Sequence, residues 1–433
     1  MKHEEKCLLV IAGFLLLIYG MKEAWLGNGG DMIIYLNAGE LLRNGQAVYH
    51  TPIFTGAGTF LNYSYSPFFA GILVPFTYFP VKFIYTCWVL LDLFLLYRIY
   101  GIISSFLKIK VMSAAETLVF TFFLLLFSFR YILYNFDMMQ MTIVLLYLCL
   151  EGFLLITRSH NFGGSMLIAL GICIKLLPLV MVPYLVMRGK FKATALTLIF
   201  VVVFTFLPVI YLGPGKFNET MQEWWTVINP SNPEFVAHQN SSGEGVHSLS
   251  ALIPAYFGAP SSYYDLDLKR NIMDLSTTGV RILLNITRAF FILLTFAFLK
   301  KPWFKGETDQ RMFYELSYIL LITPLVFPHQ QKYAFIFLAP AIAWIIAGMI
   351  GLFRHPGGDI RRKRASLILM SVSFVLLVLT TNLFIGKHFF MVAQYYKMIT
   401  WGTLLIIPVL WMFRPEAGEK KEAACAAPFP QTK

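Results

Sequence analysis

Few side chains in this chain combine a titratable group with an otherwise apolar neighbourhood, and those are where chemistry would be done. Asp31 ends the Gly-rich turn Gly27-Asn28-Gly29-Gly30. Asp31, Tyr35 and Ala38 follow at i, i+4 and i+7, one face of a short helix closed by Gly45 and Tyr49. Asp after such a turn is a preferred helix N-cap, but position 34 is Ile, so no capping box supports it. Capping and a functional role stay open as readings of Asp31. Lys175 lies inside an apolar run, where a lysine costs roughly 2.5–3.5 kcal/mol and usually faces a cavity or a partner. Snorkelling to the interface is its bland alternative. Arg130 is expected at the outer end of a span, facing an anion or anchoring to headgroups. His329 sits in the turn Pro328-His329-Gln330-Gln331-Lys332 between two spans, where a histidine is ordinarily just solvated. A carboxylate can take a proton from an acceptor hydroxyl, and fixed cations can stabilise a leaving phosphate. Tyr65 and other tyrosines offer faces to sugar rings or headgroups, as interfacial aromatics also do.

The elements that must position these groups are membrane helices. Of 433 residues, 58% are hydrophobic and 13% charged, against about 25% charged in soluble domains. Runs of about 20 apolar residues can cross a hydrocarbon core. The expected fold is an all-α polytopic bundle of about 12 membrane segments over residues 1–413, with a polar cytoplasmic tail over 414–433. The net charge of +12 resides in short inter-span loops, which reads as topology signalling and not as nucleic-acid binding. Both termini then lie inside, the first segment is an uncleaved signal anchor, and the loop carrying Asp31 lies outside. Phe68–Phe79 is too short to cross and reads as re-entrant or interfacial. Gly163–Met187 as one crossing would put Arg188, Lys190 and Lys192 outside. A break near Lys175 into two short helices restores the charge rule. The polar stretch 213–276 falls outside.

Several classes are disfavoured. Five cysteines show no Cys-x-x-Cys spacing and read as small hydrophobes, and no metal-ligand cluster or cofactor motif stands out. No P-loop or Rossmann fingerprint is present, which a lipid-carried sugar donor would explain. Asp92 and Glu151 are intramembrane acids read as structural, with Asp92 a candidate partner of Arg98. In a secondary transporter Asp92, Glu151 and Lys175 would form an ion or substrate pathway, but no internal repeat accompanies them. A non-catalytic polyprenyl-phosphate-binding protein is the other alternative.

Asp31-x3-Tyr35, Gly45, Tyr49 and Tyr65-x-Pro67 occur in an order that resembles bacterial glycosyltransferase family 87, of the GT-C superfamily. So do Gln140 at a span start, Lys175-x2-Pro178, the outer run 239–249, and Pro324 to His329. The family includes polyprenol-phosphate-mannose-dependent α-(1→2)-mannosyltransferases. The resemblance implies a metal-independent, inverting transfer from a polyprenyl-phosphate-linked sugar donor to a glycolipid or glycan acceptor. Asp31 would be the catalytic base. Lys175 and His329, with Arg130 as helper, would neutralise the donor phosphate, and Tyr35, Tyr65 and Gln140 would line the pocket. Gln330 stands where the family often has a second histidine. The implied location is the bacterial inner (plasma) membrane among its lipids, with the site on the extracytoplasmic face.

Overall fold

The computed structural model describes residues 2–55, 60–229, 245–259, 268–354 and 359–415. Most of the polar tail and most of the outer run 239–249 lie outside the described residues. In chain order the helices are α1 (His3–Leu26), α2 (Met32–Arg43), α3 (Pro67–Leu73), α4 (Val81–Phe106), α5 (Ala114–Met138) and α6 (Thr142–Thr157). Then come α7 (Asn161–Ile174), α8 (Met181–Met187), α9 (Phe191–Phe206), α10 (Val209–Leu212), α11 (Pro214–Ile228) and α12 (Leu249–Phe257). The rest are α13 (Thr277–Phe298), α14 (Asp309–Val326), α15 (Ala339–Arg354), α16 (Ile360–Phe374), α17 (Asn382–Tyr395) and α18 (Met398–Met412). The only sheet among the described residues is a two-stranded hairpin, Ile53–Phe54 with Phe60–Leu61.

Six of these stretches are long and apolar enough to cross a membrane, or seven if the bent pair at 360–395 counts as one. Five shorter apolar helices accompany them, including Thr142–Thr157 and Asn161–Ile174. The chain is an all-α polytopic membrane protein. Its surface agrees with that: on α13, Ile282, Ile286, Phe290 and Leu293 are all exposed, a stripe at helical spacing that water would disfavour and lipid would not. The opposite extreme is Lys332–Arg354, most of which is buried inside the protein.

Two expectations about breaks hold. Phe68–Phe79 is a short α-helix running into a 3₁₀ turn over Val74–Tyr78. Ser66 caps α3 by accepting from the Phe69 N–H at 3.2 Å, and Pro67 at the first helical position has no N–H to leave orphaned. The run 163–187 breaks at Lys175, whose backbone is extended (φ −150°, ψ 138°), before a 3₁₀ turn over Leu177–Val180 and α8. Pro178 cannot continue a helical ladder, so α7 ends and the chain restarts.

Two expectations fail. Helix α5 does not end at Phe129. It continues to Met138, so Arg130 lies two turns inside the helix and is buried. Asp92 does not pair with Arg98. Residues six apart on a helix do not share a face, and Arg98 instead reaches across to Glu151 at 2.9 Å. Asp92 is fully buried with neither carboxylate oxygen hydrogen-bonded.

Candidate active site

The α1–α2 turn is fixed from the backbone upward. Gly29 and Gly30 have φ of +73° and +50°, which L side chains rarely adopt. A Cβ at Gly30 would stand 2.4 Å from the Met138 carbonyl, so the turn presses directly on the end of α5. The Asp31 N–H donates to that same carbonyl at 2.9 Å. Asp31 occupies the N-cap position of α2, yet its side chain makes no capping bond. Its Oδ2 accepts instead from Gln140 Nε2. Of the two readings of this carboxylate, the capping bond is therefore unmade, and the group is turned to the interior.

Gln140 reaches Asp31 because α5 stops abruptly. Met139 takes the left-handed conformation (φ 46°), and Gln140 N–H donates back to Asn135 O at 3.0 Å before α6 begins. The Gln140 carbonyl oxygen lies within reach of two phenols, Tyr35 at 3.3 Å and Tyr65 at 3.4 Å, and these hydroxyls are 2.8 Å from each other. Tyr35 and Gln140 have no exposed surface. The sequence led us to expect both in the pocket lining; in the structure both are buried and hydrogen-bonded to one another beside Asp31.

Tyr65 carries the chain of contacts onward. Its own carbonyl accepts from the Tyr49 hydroxyl at 2.7 Å, and Tyr63 bonds the Ser66 carbonyl at 3.0 Å. Ser66 Oγ in turn donates to Cys173 O, two residues before the break. These bonds bring the Tyr65 segment onto the end of α7. Lys175 Nζ then lies 3.5 Å from the Tyr65 hydroxyl, and 5.2 and 5.4 Å from the ring centroids of Tyr65 and Tyr333. The lysine is thus held between two aromatic faces, with no carboxylate in contact among the described residues.

The electrostatics follow from this arrangement. Burial pushes the Asp31 carboxyl above its ordinary value, while the Lys175 charge and the Gln140 hydrogen bond pull it back. A carboxylate balanced in that way is suited to accept a proton. Tyr35 and Tyr65 are held well up by burial, so they stay neutral donors.

Five of the seven anticipated residues thus meet: Asp31, Tyr35, Tyr65, Gln140 and Lys175. His329 is in a left-handed turn (φ 53°), and its backbone N–H donates to Ser250 Oγ at 3.3 Å. Arg130 points elsewhere, donating to Leu377 O at 3.0 Å and Thr380 Oγ1 at 2.8 Å. It is neither at the end of its helix nor in the contact chain joining Lys175 to Asp31. Tyr333 and Tyr134 were not anticipated. They stack at 6.1 Å and wall the lysine side of the site. Their signal was faint, since tyrosine near a span end reads as an ordinary interfacial residue.

Comparison with known proteins bears on this geometry. No curated protein and no solved structure matches the chain. The model of glycosyltransferase family 87 matches residues 63–328, more than half of it. That range takes in Tyr65, Arg130, Gln140 and Lys175, begins after Asp31 and Tyr35, and ends one residue before His329. The chain is a membrane glycosyltransferase that belongs to glycosyltransferase family 87.

Proposed function

We propose that this glycosyltransferase moves a hexose, mannose in the first instance, from a polyprenyl-phosphate donor to a lipid-linked or extracytoplasmic glycan. Transfer is a single inverting displacement. The acceptor oxygen attacks the anomeric carbon, its proton passes to Asp31, and the bond to the donor phosphate breaks with the electron pair leaving on phosphate. Lys175 faces the charge that develops there. Tyr65 positions the sugar or headgroup, with Gln140 and Tyr35 holding the carboxylate and the phenol in register. His329 would contribute to phosphate neutralisation, as the resemblance to the family implies. The polar face of the site opens to the outside of a bacterial inner membrane, and the donor tail stays in lipid.

One observation carries this reading. Asp31 sits at a helix start without capping it, partly buried, and is linked through Gln140 and Tyr65 to Lys175. The capping bond common at such a position is replaced here by the bond from Gln140.

The test is sugar transfer by the full chain purified into lipid. Labelled polyprenyl-phosphate mannose is compared with nucleotide-linked mannose, in wild type and Asp31→Asn, over a panel of membrane glycolipid extracts. Transfer or slow hydrolysis from the lipid donor alone, lost in Asp31→Asn, is expected. Transfer from the nucleotide donor, or undiminished transfer by Asp31→Asn, would remove the proposed donor or base.

A further inference from the structure

Helix α13 carries a polar flank that the proposed transfer does not use. The helix is apolar enough to cross a membrane, yet Arg281, Asn285 and Arg288 recur on it at i, i+4 and i+7, one stripe along its length. Arg288 stands near the middle, about 16 Å from the helix start. Arg281 and Asn285 are exposed, and Arg288 is partly buried. Ile282, Ile286, Phe290 and Leu293 form the lipid-facing stripe of the same helix, while Leu284 and Phe291 pack inward. At 3.6 residues per turn the polar flank falls between these two faces, along the seam where protein meets lipid.

No salt bridge among the described residues includes Arg281 or Arg288. Asp274, the acid nearest to them in sequence, precedes the helix and accepts from Asn271 Nδ2 at 3.1 Å. Arg288 Nε and Nη2 are buried and have no hydrogen-bond partner among the described residues. Buried charged donors left without an acceptor are costly, and an arginine within a span ordinarily faces a cavity, a pathway or a partner. Snorkelling accounts for Arg281, near the helix end. It does not account for Arg288, because a snorkelled guanidinium keeps its nitrogens among water and headgroups. Cα–Cβ bonds tilt towards a helix N-terminus, so both arginines leave α13 in the same direction with the Asn285 amide between them. That end of α13 adjoins α12. The Leu275 N–H donates to Phe257 O at 2.9 Å, and Ser250 of α12 accepts from the His329 N–H.

We infer that Arg281, Asn285 and Arg288 hold the phosphate of an anionic phospholipid of the surrounding bilayer, its acyl chains lying along Ile282, Ile286, Phe290 and Leu293. Charge and surface together select this occupant. Two guanidinium groups suit phosphate oxygens, and the Asn285 amide adds a neutral donor. A water-soluble anion would have to leave water to reach a flank bordered by lipid-facing side chains. A lipid phosphate arrives with its chains already in hydrocarbon. The bound lipid supplies the acceptors that Arg288 lacks and seats α13 on its neighbours.

Thermal unfolding tests this without a sugar donor, so it can fail while the transfer reaction stands, and the reverse. The full chain in dilute detergent is titrated with dioctanoyl phosphatidylglycerol and, separately, with dioctanoyl phosphatidylcholine. The saturating rise in melting temperature gives each affinity. Wild type is compared with Arg288→Gln, Arg281→Gln and Arg361→Gln, the last an exposed arginine at the start of α16. Phosphatidylglycerol is expected to bind at least tenfold more tightly than phosphatidylcholine. Arg288→Gln should abolish that preference and Arg281→Gln reduce it severalfold, with Arg361→Gln within about threefold of wild type. Arg281 is exposed, so its variant reads the site even where Arg288→Gln shifts the melting temperature by itself. Equal affinity for the two lipids, a preference unchanged in both α13 variants, or an equal loss in Arg361→Gln would overturn the proposal. So would a dimer, seen by light scattering, that dissociates in Phe290→Ala, since the face would then belong to a second copy.

Discussion

Two ionic centres in this molecule invite comparison: a fully buried one around Glu315 and a partly buried one between Asp31 and Lys175. Glu315 is enclosed. Arg188 grips it with Nε at 2.6 Å and Nη2 at 2.8 Å, Arg311 adds 2.9 Å, and the Lys300 N–H adds 3.1 Å. The remaining guanidinium donors go to the carbonyls of Lys300, Pro415 and Phe298. Each guanidinium nitrogen of Arg188 and Arg311 is bonded, and the centre locks α8, α13, α14 and the segment after α18 together. At Asp31 the pattern is the reverse. Among the described residues the carboxylate has one side-chain donor, Gln140, and Lys175, whose charge bears on it, touches a phenol and two ring faces. A closed ionic network has nothing left to offer a ligand, and an open one does. The difference separates scaffold from candidate site without reference to any motif.

Substitutions at the two centres should therefore fail in opposite ways. The largest expected effect is on transfer: Asp31→Asn should lower kcat by roughly 10²–10⁴-fold, with thermal unfolding in detergent unchanged. Arg188→Met should do the converse. Leaving Glu315 less compensated costs about 3–5 kcal/mol of stability, read as a fall in melting temperature, while the folded fraction keeps its specific activity. If Arg188→Met lost turnover before stability, the division drawn here would be wrong. Next, Lys175→Gln should reduce kcat about 100-fold with a lesser effect on acceptor KM, since the charge it faces grows in the transition state.

The pH profile sharpens the same contrast. Asp31 must be ionised to act as a base, and burial raises its folded pKa, so activity falls as pH drops through a value above the usual carboxylate range near 4. Lys175 opposes that rise, so in Lys175→Gln the residual acid limb should move to higher pH. A limb unmoved by that substitution would detach the two groups. The smallest effect expected is from Gln140→Leu, roughly tenfold on kcat. It leaves the base in place but removes its donor and loosens both phenols.

Much of this was legible before any coordinates. The i, i+4 relation of Asp31 and Tyr35, and the charge rule that broke the chain at Lys175, are local or near-local signals, and both describe the structure. What the sequence concealed are meetings between distant elements. Arg130 was read as the end of its span because the apolar window stops there, although the helix runs on for two more turns, where its inward face is covered by protein. Asp92 and Arg98 are close in sequence but face different ways, and Glu151 came from another helix.

The bond from Asp31 to the Met138 carbonyl couples the carboxylate mechanically to α5. The turn bearing the carboxylate is seated on the last residue of α5, and Gln140 emerges two residues later from the same corner. Changes in bilayer thickness are absorbed by tilting membrane helices. A tilt of α5 would carry the Asp31 backbone and Gln140 along as one body, leaving their separation untouched. Shorter or longer acyl chains should then alter how readily lipid substrates arrive, and leave the alignment of acid and amide as it was.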